Sequence, residues 1–86
     1  MIAKVYYAVG VLYVRYETEE TLMELSMFPG RIFDRDELPQ AEREYSRLEK
    51  RNYSDDSGYQ IAYLIKILGE QKEVLRGDAN IISSWL

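Results

Sequence analysis

Apolar residues are distributed along this chain in four distinct patterns, and each predicts a different element. From Ile2 to Tyr16 the chain is dense in Val and Tyr and is interrupted only by Gly10. That composition fits β structure with a bulge or tight turn near the glycine. Both faces of this segment are apolar, so it should be central in a sheet or covered.

The second pattern changes character. In Thr18-Glu19-Glu20-Thr21-Leu22-Met23-Glu24-Leu25, Thr18 can cap a helix, two acids favour its first turn, and Thr21 to Glu24 forms a capping box. These signals predict a short helix from Glu19 to Met27, stopped by Pro29-Gly30. The competing reading is a strand within 18–28, paired with Val11 to Tyr16.

Further along, Leu38, Ala41, Tyr45 and Leu48 recur at intervals of three and four and form one apolar stripe. With Asp36 as cap and Pro39 in the first turn, where its missing N–H costs little, a helix over 37–52 follows. It should end before the turn-rich run Tyr53-Ser54-Asp55-Asp56-Ser57-Gly58.

The fourth pattern has period two. Tyr59, Ile61, Tyr63, Ile65 and Ile67 alternate with Gln60, Ala62, Leu64, Lys66 and Leu68. Gly69-Glu70 suits a two-residue type II′ turn, which would set Leu68 opposite Gln71, Ile67 opposite Lys72, Lys66 opposite Glu73, Ile65 opposite Val74 and Leu64 opposite Leu75. The alternative over 59–76 is a single helix closed by Gly77. The remaining tail carries Ile81, Ile82, Trp85 and Leu86, which a small domain needs for its own core.

Together these elements predict an α+β fold in one domain, 1–86: a small antiparallel sheet, made of the N-terminal β segment and the C-terminal hairpin, packed against two short helices. Length agrees, since 86 residues have room for one core. The longest uncharged stretch, Val5 to Val14, is half the roughly 20 residues that cross a bilayer. It runs into Arg15-Tyr16-Glu17 rather than a cleavage site, so the expectation is a cytoplasmic protein without a membrane segment. The Asn52-Tyr53-Ser54 sequon is read as chance.

Composition then narrows the chemistry. Without cysteine or histidine the chain has no thiolate nucleophile, no Ser-His-Asp or Cys-His machinery and almost none of the usual transition-metal ligands. The five glycines never fall within one phosphate-binding loop motif. Asp34-Arg35-Asp36-Glu37 sets three carboxylates before a helix, an arrangement that capping and dipole complementarity explain without a metal. No catalytic, cofactor or metal site is predicted, and the chain is not expected to be an enzyme.

Charge distribution suggests two candidate surfaces. Between Glu17 and Glu42 the acids Glu17, Glu19, Glu20, Glu24, Asp34, Asp36, Glu37 and Glu42 face only Arg31 and Arg35. Such a surface steers toward a basic partner and repels nucleic acid. On the predicted helix, at about 100° per residue, Arg43, Arg47, Lys50 and Arg51 cluster opposite the apolar stripe.

With a net charge of −4, the expected function is a non-enzymatic protein-binding module. A small acidic regulator or inhibitor of the kind carried by phages and mobile elements would fit, docking on a larger assembly that has a basic surface. Two other functions remain in view. One is nucleic-acid binding by the basic helix face, with tyrosines stacking on unpaired bases; the other is a homo-oligomeric structural or accessory subunit, favoured by an unpaired apolar strand or tail.

Overall fold

The apolar N-terminal segment becomes the centre of the sheet. The computed structural model describes residues 4–16 and 23–84, with backbone alone for residues 16 and 23–29. Strand β1 (Val5–Tyr16) lies between β2 (Met23–Asp34) and β4 (Gly58–Leu68), antiparallel to both. A strand with neighbours on both sides and layers on both faces has no solvated side, which explains why both of its faces are apolar.

The helix expected over Glu19–Met27 is not formed where the chain is described. Residues 23–27 belong to β2, pairing with Val11–Tyr16 from Val11 opposite Phe28 to Tyr16 opposite Met23. Residues 19–22 lie outside the described part. Capping signals are local and worth little beside a strand partner that satisfies every second backbone group, so the pairing decides. Nor do Pro29 and Gly30 end the element. They form a bulge: the register passes from Val9 opposite Arg31 to Val11 opposite Phe28, leaving two residues facing Gly10. A Cβ on Gly30 would sit 1.8 Å from the Val9 carbonyl oxygen, so only glycine fits this approach of the two backbones.

After β2, a 3₁₀ turn (Arg35–Glu37) leads into α1 (Leu38–Glu49). The cap is one turn earlier than expected. Asp34 precedes the turn, and its own N–H donates to the Glu37 carboxylate at 2.9 Å, whereas Asp36 lies inside the turn and points to solvent. The predicted stripe packs as predicted: Ala41 and Tyr45 are buried, Leu38 and Leu48 half-buried, against Tyr7, Val9, Phe33, Ala62 and Leu64.

The C-terminal hairpin also forms. β4 pairs with β5 (Gln71–Arg76) through Gly69-Glu70, with Gly69 at φ +60°, in the predicted register from Leu68/Gln71 to Ile65/Val74. Only the last pair differs: Leu64 faces Arg76, because Leu75 is absorbed by a bulge. The single-helix alternative for 59–76 is thereby excluded.

Two elements escaped the sequence reading. The run after α1 contains a three-residue strand β3 (Tyr53–Asp55), which pairs with Gly58–Gln60. The tail contains a short helix α2 (Ala79–Ser83), whose cap Asp78 accepts from the N–H groups of Asn80 and Ile81 at 3.1 Å. Strands β3 and β5 therefore share one edge of β4, end to end. Between them the Ala62 N–H donates to Asn52 Oδ1 at 2.8 Å, so a side chain fills the gap left by the two partners.

The result is an antiparallel five-stranded sheet with one helix on each face, an α+β fold. α1 covers Tyr7, Val9, Ala62 and Leu64, while Ile82 of α2 joins Ala8, Leu12, Val14, Tyr63 and Ile65 on the opposite side. Ile82 is fully buried, so the tail does pack on its own sheet; Trp85 and Leu86 lie outside the described residues. The molecule is long for its size, 50 × 26 × 17 Å with a radius of gyration of 14.1 Å, against about 12 Å for a compact chain of this length.

Candidate functional site

The elongation separates the acidic residues that the sequence groups together. Glu24 stands opposite Arg15 at one end of the β1–β2 ladder, and Asp34 stands opposite Tyr6 at the other. Ten residues of strand at about 3.3 Å each put them on the order of 30 Å apart. Asp34 and Asp36 are exposed and belong to the α1 end with Glu37, which is half-buried and bound to the Asp34 amide. Glu17, Glu19 and Glu20 lie outside the described residues. Among the described residues the acids thus form two groups, one at each end of the β1–β2 ladder.

The basic helix face is exposed as expected: Arg43, Arg47, Lys50 and Arg51 all reach solvent. Lys50 and Arg51 fall beyond the last turn of α1, while Arg43 and Arg47 lie on the side of the helix that overhangs β2. There they meet Arg31, which in the sequence stands among the acids of 17–42. β2 continues through Gly30-Arg31-Ile32-Phe33-Asp34, and strand alternation puts Arg31 and Phe33 on the α1 side. The guanidinium of Arg31 stacks on the Phe33 ring, 5.2 Å from its centroid. Had Gly30–Asp34 been read as strand, the alternation alone would have found this residue.

Glu44 ties the cluster together. Its carboxylate accepts from both Nε (2.9 Å) and Nη2 of Arg47 and lies 3.7 Å from Arg31 Nη1. The hydrogen bond from Arg47 is the main reason its pKa falls below the usual carboxylate value, outweighing the cost of desolvation. Arg43 is placed differently. Its Nε reaches only the Pro39 carbonyl, at 3.4 Å, and among the described residues it pairs with no carboxylate. Arg31, Arg43 and Arg47 thus line a groove of about 350 Å³ between α1 and β2, with Phe33 as its apolar wall.

Along the same groove runs an open sheet edge, since among the described residues β2 pairs with β1 alone. The Asp34 N–H points away from β1, toward Glu37. In an antiparallel ladder the backbone groups alternate in direction, so Ile32, two residues earlier, also turns its N–H and C=O outward. Its side chain is 64% exposed, the most of any large apolar residue described. Unpaired backbone and an exposed β-branched side chain thus coincide at one residue, on the side of the strand opposite the arginines.

Other features of the described surface offer less. The described residues place no group of three potential metal ligands together, and none of their helices is long and apolar enough to cross a membrane. Tyr53, the most exposed tyrosine among the described residues, shares a hydrogen bond with Tyr13 and is thus already engaged across the sheet. No family model matches the chain, and no curated protein or solved structure is similar to it.

Proposed function

We propose that this protein is a non-enzymatic protein-binding module, a small acidic regulator or inhibitor that acts by docking on a larger protein. The observation that carries the reading is Ile32. In a small domain nearly every large apolar side chain is needed for the core, yet this one stands in solvent beside outward-facing backbone groups and a groove of arginines. Exposed apolar surface rimmed by charge is what a protein partner covers.

Division of the acidic residues between two ends argues against one acidic contact that meets a basic surface, as the sequence first suggests. The net charge of −4 still acts at long range and disfavours nucleic acid. The nucleic-acid alternative is weakened further because Glu44 already engages Arg31 and Arg47, leaving Arg43, Lys50 and Arg51 to meet phosphates. Photo-crosslinking from position 32 of the full chain in host lysate, with mass spectrometry of the products, tests the reading alongside gel shifts on single- and double-stranded DNA and RNA. A specific protein adduct and no shift are expected. A salt-dependent shift that Arg43→Glu abolishes, with no protein adduct, would overturn the reading in favour of nucleic acid.

A further inference from the structure

The groove, the outward backbone of Ile32 and its exposed side chain lie on one five-residue stretch, and their chemistry specifies what would cover them. We infer that the outer edge of β2 at Gly30–Asp34 takes an extended acidic segment of a partner protein as an added strand. The segment's carboxylates would lie on the α1 side against Arg31, Arg43 and Arg47, and an apolar side chain on the other side against Ile32. The inference rests on the protein-binding reading and specifies the partner's chemistry.

A strand laid beside β2 runs about 4.8 Å from it and finds the Ile32 N–H and C=O ready to pair. Its side chains alternate between the two faces of the sheet. On the α1 face they enter the arginine groove, where Glu44 is shared between two guanidiniums and Glu37 is held by the Asp34 amide. Arg43 is left without a carboxylate, and Arg31 has only the long 3.7 Å contact with a side chain 70% exposed. Carboxylates at alternate positions would complete both pairs, bidentately where the geometry allows. On the opposite face the neighbours of the added strand are Ile32 and Asp34, which select an apolar residue and reject an acid.

The Pro29-Gly30 bulge ends the straight edge at one side and the Glu37-bound amide of Asp34 ends it at the other, so only a short segment fits. Charge also decides against a second copy of this chain. Edge-to-edge pairing about a two-fold axis at Ile32 would set Arg31 of each copy opposite Phe33 of the other and put both α1 helices on the same face, bringing two Arg31/Arg43/Arg47 clusters together along one seam.

A short blocked peptide alternating glutamate and valine, titrated into the isotope-labelled full chain, tests this, with the lysine–valine peptide as control. Amide shifts centred on Ile32 and on Arg43–Arg47 are expected with the glutamate peptide only, together with slower hydrogen exchange at Ile32. Arg43→Glu should weaken binding about fivefold or more, and its effect should shrink as salt rises. Ile32→Pro removes the outward N–H without touching the β1 ladder and should abolish binding; Ile32→Asp, which alters only an exposed side chain, serves if the proline variant does not fold. Equal binding of the lysine peptide, shifts elsewhere, or indifference to Arg43→Glu would overturn the inference. A concentration-dependent dimer that Ile32→Asp dissociates would overturn it in favour of a second copy. If instead the position-32 crosslinks fail while crosslinkers at Asp36 or Lys50 capture a protein, the edge assignment falls and the protein-binding reading stands.

Discussion

Replacing Asn52 by alanine should weaken the fold well beyond what an exposed loop residue ordinarily contributes. Asn52 Oδ1 is the acceptor for the Ala62 N–H, at 2.8 Å, in the gap between β3 and β5 on the β4 edge. Ala62 itself is fully buried, so without that oxygen its donor has no strand partner to turn to. Leaving a buried donor unpaired costs about 1–3 kcal/mol. Because Asn52 is exposed, water can enter from one side, which favours the lower part of that range, about 1–2 kcal/mol. In a domain of this size that corresponds to a fall in Tm of roughly 4–16 °C. Asn52→Asp keeps an acceptor oxygen in place and should stay within about 0.5 kcal/mol of the parent at neutral pH. Urea denaturation of the three proteins gives the stabilities, and hydrogen exchange at Ala62 reports the bond directly. If Asn52→Ala melts within about 2 °C of the parent and Ala62 stays equally protected, the reasoning about the gap is wrong.

Other outcomes follow from the packing and the charges. Ile65→Asp should abolish the cooperative melt by burying an unpaired charge, with smaller losses from the same change at the half-buried Leu48 and Val74. Gly30→Ala should cost about 2 kcal/mol or more, because its Cβ collides with the Val9 carbonyl, and the loss should appear as broadened β1 and β2 amides near the bulge. Exchanging Lys66 and Glu73, which face each other across the β4–β5 hairpin, should cost less than making the two sites alike; a double-mutant cycle reads the difference. The Tyr45 hydroxyl, desolvated against the sheet and hydrogen-bonded to Glu49, has its pKa pushed up to about 12. A raised pKa on a group that is neutral when protonated means that its contribution is complete below pH 10 and is lost as pH rises toward 12. Tyr45→Phe should flatten that alkaline decline, measured as stability against pH between 9 and 12, whereas an unchanged slope would exclude Tyr45 as its source.

Legibility differed between kinds of signal. Periodicity was readable: the Leu38/Ala41/Tyr45/Leu48 stripe faces the sheet, and the Tyr59–Ile67 alternation with its Gly69-Glu70 turn is a hairpin in nearly the predicted register. What failed was inference from short polar signals. The acids and threonines around Glu19 and Glu24 satisfy a helix-start rule, yet at Met23–Met27 a long-range partner, β1, outweighs any local preference. Pro29-Gly30 looks like an end and is a bulge, because only the facing Gly10 shows that the strand continues. Arg31 stands among acids in the sequence, but linear proximity says nothing about which strand face carries it, and its place beside Arg43 and Arg47 comes from the β2 strand. The short elements β3 and α2 were unreadable because neither is long enough to display a period, and each exists through a partner elsewhere in the chain.

The place of β1 at the centre of the sheet also bears on how the chain reaches its native state. β1 joins β4 from Val5 with Leu68 at one end to Arg15 with Gly58 at the other, so the central ladder closes a loop of several dozen residues, whereas each hairpin that flanks it closes locally. Loop closure of that span is paid before the pairing returns anything, which makes the β1–β4 zipper the natural rate-limiting event. On the ribosome the delay becomes temporal. At about 5–20 residues per second, β1 and β2 are complete for several seconds before β4 exists, and during that interval the apolar inner edge of β1 has no strand beside it. The nascent chain is therefore most exposed to misassociation not at the edge it shows when folded but at the one it later hides. A holdase that recognises Val- and Tyr-rich extended segments would act on this protein only during that window.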